Sequence, residues 1–443
     1  MAQAIKEKSS QLAELLHASD ATGAPAWVAR LREAALERLE RTGFPTTGEE
    51  DWKYTNVAPL ARATFVRPSE TEALSLDPTT VAPLLYAEAS GSRLVFVNGF
   101  YSPDLSSLDA LPAGVVASEL AEALNGEHAE ILRERLTQAE EGDAFAALNA
   151  AALPGGAFLY LPKGVRVEAP VQLLFLADAR GEGLPAVFPR VVVFAERESE
   201  ATLVEAYAAA SEQAEYFTDA VVDVFVGENA RLTHFKVQRE GERAFHVAAT
   251  RAELSRASFY DITTVTLGAR LSRHNVSVRL NEEGAECRVD GLYLVGTGQH
   301  TDTHSLIDHR VPRCASRQNY KGILDGRSRA VFNGRVFVHE GASGTDAVQS
   351  NKNLLLSREA RVDTKPQLEI FNDDVKCAHG ATVGQLEEEE LFYLLSRGLH
   401  PELARNLLTY GFAEEIVNKI GIDSIKAQLD EAILGRLHAR LEA

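Results

Sequence analysis

Cysteine is scarce: three residues in 443, too few and too scattered for a disulfide framework. Long apolar runs are missing as well, none approaching the roughly 18 residues of a membrane span. The opening MAQAIKEKSSQLAELL lacks the basic-then-apolar layout of a signal peptide. Together these absences predict a cytoplasmic protein with no membrane partner. Positive charge is in deficit, the net being −19, with acidic clusters at residues 387–390 and 140–143. A field of that sign repels phosphate backbones and argues against nucleic acid as a general partner.

Catalytic signatures are lacking too. There is no GxxxxGK[ST] phosphate loop, so the chain is not expected to hydrolyse ATP itself. No GxSxG elbow, HExxH helix or GxGxxG after a strand occurs. Neither Cys287 nor Cys314 belongs to a CxxC pair, which excludes a redox dithiol or a preassembled cluster site of that type. A long chain without a catalytic constellation reads as a scaffold.

What is present divides into three regions. Residues 1–153 are mostly helical. AIKEKSSQLAELLHAS and PAWVARLREAALERLERTGF place apolar residues three and four apart, with Pro25 suited to the start of the second helix and Gly43 to its end. EEDWKYTNVAPL follows, with Trp52 and Tyr54 read as exposed, and the region closes at Pro154-Gly155-Gly156. Over residues 154–385 the period switches from 3.6 to 2, in short strands such as RVVVFAE, RLTHFKV and AVFNGRVFV. Residues 386–443 return to short amphipathic helices, punctuated by Gly398 and Gly411. Such a small cap must lean on something, either the end of the strand-rich core or another protein.

The strands repeat. A polar cluster followed by alanine recurs at Ala201, Ala230, Ala257, Ala285, Ala330 and Ala360, separated by 29, 27, 28, 45 and 30 residues. A step near 28, with one interval lengthened by an insertion, predicts stacked coils. The expected fold class is therefore mainly β with helical ends, its core a right-handed parallel β-helix. A large antiparallel sandwich would alternate similarly but without so regular a step.

Within NDDVKCAHGATVG, Cys377 and His379 stand two apart, so a strand would project both from one face, with Lys376 and Ala378 opposite. Thiolate and imidazole suit zinc, iron or copper, yet two ligands are half of a tetrahedral set. Spacing alone equally allows a buried thiol beside a hydrogen-bonded histidine. A second group, His300, His304 and His309 in HTDTHSLIDHR, has no cysteine or carboxylate at a ligand spacing and reads as polar residues in a loop between coils.

Several stretches resemble one family. DDVKCAHGATVGQLEEEELFYLLSRGL is similar to the C-terminal signature of the SufB/SufD family of iron–sulfur cluster assembly proteins, and ARNLLTYGFAEEIV to the helical segment that follows it. LNAAALPGGAFLYLPKGVRVEAPVQL resembles the beginning of that family's β-helix, and the resemblance runs from about residue 40 to the end. EDWKYT and the low cysteine count are similar to the D-type members; a B-type chain is the alternative.

The resemblance implies a non-catalytic scaffold serving iron acquisition and de novo cluster assembly. It implies a SufB-like partner paired through the C-terminal strands of the β-helix, and a SufC-like ABC-type ATPase docked on residues 387–443. A transient iron–sulfur cluster would form at the subunit interface, with His379 as a metal ligand and Cys377 as the weaker cofactor-binding candidate. No cofactor is expected on the isolated chain, while flavin association of the complex and a homodimer of the isolated chain are further options the resemblance carries. A polysaccharide-binding solenoid enzyme is the contrasting reading. It would need carboxylates and stacked aromatics along a groove, and aromatics are only 7% here.

Overall fold

A computed structural model of the chain describes Leu16 and residues 23–138, 142–180 and 183–438. Its centre is a β-solenoid built from sixteen strands that alternate between two sheets. In chain order these are β1 (Gly156–Leu161), β2 (Val171–Ala177), β3 (Arg190–Ala195), β4 (Glu200–Ala209), β5 (Phe217–Val226), β6 (Arg231–Arg239), β7 (Phe245–Leu254) and β8 (Phe259–Leu267). There follow β9 (Leu271–Leu280), β10 (Glu286–Val295), β11 (His300–His309), β12 (Ala315–Leu324), β13 (Arg329–Val338), β14 (Thr345–Leu355), β15 (Arg361–Ile370) and β16 (Val375–Gly384). Odd strands form one sheet and even strands the other, each pairing parallel with the strand two places along.

The register fixes the size of a coil. Ala201, Leu232, Tyr260, Cys287, Ser316, Ala347 and Cys377 are successive partners in the even sheet, 31, 28, 27, 29, 31 and 30 residues apart. The long interval in the alanine markers is not an insertion. Ala201 through Ala285 lie in or beside even strands, whereas Ala330 and Ala360 lie in or beside odd ones. The 45-residue step is one and a half coils, carrying the marker from one sheet to the other.

Alternation sends every second residue into the lumen between the sheets, where Leu203, Leu232, Ile262, Val224, Val278 and Val336 make a continuous apolar core. The outer faces are also covered, which makes many strands apolar on both sides, as parallel sheets usually are. Helices α1 (Ala26–Thr42), α2 (Ala129–Gln138) and α3 (Ala144–Ala151) cover the odd sheet near its start. Pro25 and Gly43 bound α1 as expected. The first helical candidate, residues 4–19, lies outside the described residues apart from Leu16.

Two expectations from the flanking regions change. Trp52 is buried, not exposed: it lies against Phe145 at 5.2 Å and beneath the Arg273 guanidinium at 3.9 Å. The C-terminal helices α4 (Glu388–Ser396), α5 (Pro401–Val417) and α6 (Asp423–His438) lean on the side of the solenoid, not on its end. Ala413, Ile416, Val417, Ile425 and Leu429 pack with Phe235, Val265, Leu292 and Ile323 of the even sheet. Lys419 pairs with Asp290, and Lys321 with Glu415. The solenoid ends differ as a result. At the start, Arg93–Val97 extends the even sheet and Val116–Glu119 the odd one, while at the finish β15 and β16 each have a neighbour on one side only.

The lumen is not uniformly apolar. Glu205, His234, Lys236, Glu240 and His246 are all buried inside it. His234 bridges Glu205 (2.8 Å) and the Tyr260 hydroxyl (2.9 Å), and the Lys236 ammonium lies 3.4 Å from Glu205 and 3.9 Å from the Tyr207 ring centroid. Burial alone would raise the Glu205 carboxyl, but Lys236 and His234 outweigh it and hold it well below the usual carboxylate range. Further along, the Tyr293 and Tyr320 rings lie over Gly322 and Gly291, their register partners. A Cβ on either glycine would come within 2.1 Å of the facing ring. These glycines are required by close approach and not by a turn.

Candidate functional site

The last coil carries the motif that the spacing singled out. Cys377 and His379 both lie on β16 and face the lumen side, since their register partners Ala347 and Gln349 are buried interior residues. Lys376 and Ala378 point outward, Ala378 beside Val348. The expected common face is therefore present. Because no further coil follows, this face opens to solvent: Cys377 is half-buried and His379 exposed. The two residues sit at the mouth of the solenoid.

Their chemistry differs. The Cys377 thiol packs against the apolar core, and burial raises its pKa above the ordinary thiol value, which disfavours the thiolate that binds metal. His379 offers an exposed imidazole. Cys287 is worse placed than either, fully buried with its thiol pushed far up by desolvation. Cys314 is buried too and bonds backbone carbonyls. Among the described residues no group of three or more His, Cys, Asp or Glu side chains is arranged to hold a metal ion. A metal ion at His379 would have to draw its remaining ligands from outside the described residues of this chain.

The other histidine group does not join it. His300, His304 and His309 lie within β11, not in a loop. His300 is 2.8 Å from the Thr55 hydroxyl, fastening the outer face under the N-terminal segment, and His304 is 3.1 Å from Asp302 of its own strand. His309 faces inward and hydrogen-bonds Ser316 at 2.9 Å, and burial pulls its pKa down to about 4.

Around the mouth the surface is unusually apolar. Phe371, just past β15, is 61% exposed and Val383 of β16 47%, and Ile370 of β15 and Val348 of β14 are exposed as well. The free edge of β15 is interrupted by Pro366, which has no N–H, whereas β16 contains no proline and keeps a full set of backbone donors. A second apolar patch lies on α4 and α5, where Phe392 is 71% and Tyr393 57% exposed, with Leu403 and Leu407 half exposed. Aromatic exposure of that degree is uncommon away from interfaces. Sequence reading marked these helices as amphipathic but could not tell which apolar residues stay uncovered.

Comparison with known proteins decides the family. Residues 175–412 match the family model described as SUF system FeS cluster assembly, SufBD core domain, and residues 7–173 match the SufBD protein N-terminal region. The chain belongs to the SufBD family of iron–sulfur cluster assembly proteins. An iron-sulfur cluster assembly SufBD family protein of Synechocystis is 36% identical over 410 residues, covering 91% of this chain and 89% of that one. The iron-sulfur cluster assembly protein SufD of Escherichia coli is 33% identical, covering 92% and 91%. A SufB of Bacillus subtilis is 26% identical over 90% of this chain and 87% of its own length. This SufBD chain thus lies close to SufD and is a component of the iron–sulfur assembly machinery. No helix among the described residues is long and apolar enough to cross a membrane.

Proposed function

We propose that this chain is the D-type, non-catalytic scaffold of a Suf complex. It pairs with a SufB-like subunit through β15 and β16, and lends His379 to an iron–sulfur cluster assembled at the junction. The cluster is the product being built, not a resident cofactor. The observation that carries the reading is the solenoid mouth: an unpaired β16 edge, exposed apolar residues flanking it, and a solvent-facing imidazole with too few companions to complete a metal site. Edge-to-edge strand addition would satisfy the β16 donors and bring a partner's ligands to His379. A thiolate and an imidazole from two chains suit iron, and each chain alone would hold it weakly.

Energy for assembly has to come from another subunit, because the chain carries no phosphate loop. The exposed face of α4 and α5, with Phe392, Tyr393, Leu403 and Leu407, fits a SufC-like ATPase. Its position on the even sheet links that docking face to the same sheet that ends in β16. Co-expression with SufB-like and SufC-like subunits, followed by pull-down and an iron and sulfide assay, tests the whole reading. A ternary complex that accumulates both elements supports it. A chain that captures neither subunit overturns it.

A further inference from the structure

Gln349 lies in the lumen column directly before His379, as its register partner on β14, and is only 1% exposed. Its Nε2 donates to Gln318 Oε1 of the preceding coil at 2.7 Å, and Gln318 Nε2 donates to Ser305 Oγ at 2.8 Å. The Gln318–Gln349 bond is one rung of an amide ladder running up the even sheet toward the mouth, one coil to the step, and Ser305 braces Gln318 across the lumen from β11 of the odd sheet. The lumen is shaped for it: a Cβ at Gly334 would stand 2.5 Å from Gln349 Nε2, so glycine there leaves room for the carboxamide. Gln349 Oε1 is buried and has no hydrogen-bond partner. A buried acceptor left unpaired is costly and signals a missing donor. The two arms of a carboxamide diverge, so with Nε2 committed to the preceding coil, Oε1 is turned away from it.

We infer that Gln349 is a positioning residue for His379, accepting a ring N–H of that histidine as the next step of the ladder. The lumen-facing ring nitrogen then keeps its proton, and the other nitrogen presents its lone pair outward at the solenoid mouth. Metal-binding histidines are commonly oriented through a bond of this kind made by the second ring nitrogen. A glutamine acceptor fixes the tautomer without adding negative charge beside the lone pair. The consequence for metal binding rests on the function proposed above. The tautomer itself does not.

The test uses the full isolated chain with ¹⁵N-labelled histidine, read by NMR at alkaline pH, with His379→Ala assigning the resonance. One hydrogen bond biases a tautomer ratio roughly fivefold. Wild type should show His379 in one dominant tautomer. Gln349→Met, which keeps volume and removes the acceptor, should return it to the mixture of a free imidazole, and Gln349→Glu, which keeps an acceptor, should retain the bias. A mixed tautomer already in wild type, which needs no variant to fold, overturns the inference. So does a Gln349→Met chain with an unchanged ratio. If the tautomer responds as expected while His379→Ala leaves cluster formation in the complex intact, the Gln349 assignment stands and the proposed function falls.

Discussion

The middle coils and the last coil of the solenoid are built from the same repeat but live in opposite surroundings. In the middle, the C-terminal helices cover the outer face of the even sheet, the N-terminal region covers part of the odd one, and even charged side chains are sealed in the lumen. In the last coil, no residue of β15 or β16 is fully buried. Identical strand geometry therefore serves two purposes. Where neighbours stack on both sides it makes a stable core, and where stacking stops it leaves an unsatisfied edge and exposed side chains suited to binding. Stability and function are separated along one axis, and mutations should separate with them.

The largest effect is expected in the middle. Lys236→Met removes the cation that holds Glu205 charged inside the lumen, leaving an uncompensated buried carboxylate. Breaking a buried pair from one side costs about 3–5 kcal/mol, measurable as a shift of the urea midpoint. A loss under ~1 kcal/mol would mean that His234 alone suffices and that the middle coils are less demanding than the comparison claims.

Next comes acid sensitivity. His309 is neutral when folded, with a pKa pulled down to about 4 by burial, whereas an unfolded histidine titrates near ~6.5. Below that value the unfolded state binds more protons, so stability falls as pH falls through this window, by up to about 3 kcal/mol. His309→Gln should flatten the dependence of the urea midpoint between those two pH values. An unchanged dependence in that variant would mean that the sealed histidine does not govern the acid response.

At the open end the expected stability changes are small. Val383→Lys places charge on an exposed residue and should alter stability by no more than ~0.5 kcal/mol, yet weaken pairing with a SufB-like subunit roughly tenfold or more. Phe392→Ala should likewise spare the fold and reduce co-purification of the ATPase only. If either variant lowered both kinds of binding together, the two surfaces would not be independent.

Much of this was readable from residue order. The period-2 strands, the coil length and the shared face of Cys377 and His379 follow from alternation, which is local. The misread features depend on contacts between distant segments. Trp52 is buried because Arg273 and Phe145 meet over it, which EDWKYT does not reveal. The long alanine interval looked like an insertion because one chain feeds two sheets, and a linear spacing does not say which sheet a marker joins. His234 and Lys236 in RLTHFKV sat at alternate positions, a sign that polar residues share the inward face, but only the neighbouring coils supply Glu205 and Tyr260. Gln349 carried no motif at all; its meaning comes from stacking between Gln318 and His379.

The central claim is that the solenoid mouth contributes a ligand and not a structural residue. It is tested most directly by reconstituting His379→Ala with SufB-like and SufC-like subunits and measuring iron and acid-labile sulfide bound per complex. The account predicts a complex that assembles, hydrolyses ATP and melts like wild type, but retains little of either element, with Cys377→Ala less affected. Undiminished iron and sulfide in a well-assembled His379→Ala complex would contradict it and place the site on the partner alone.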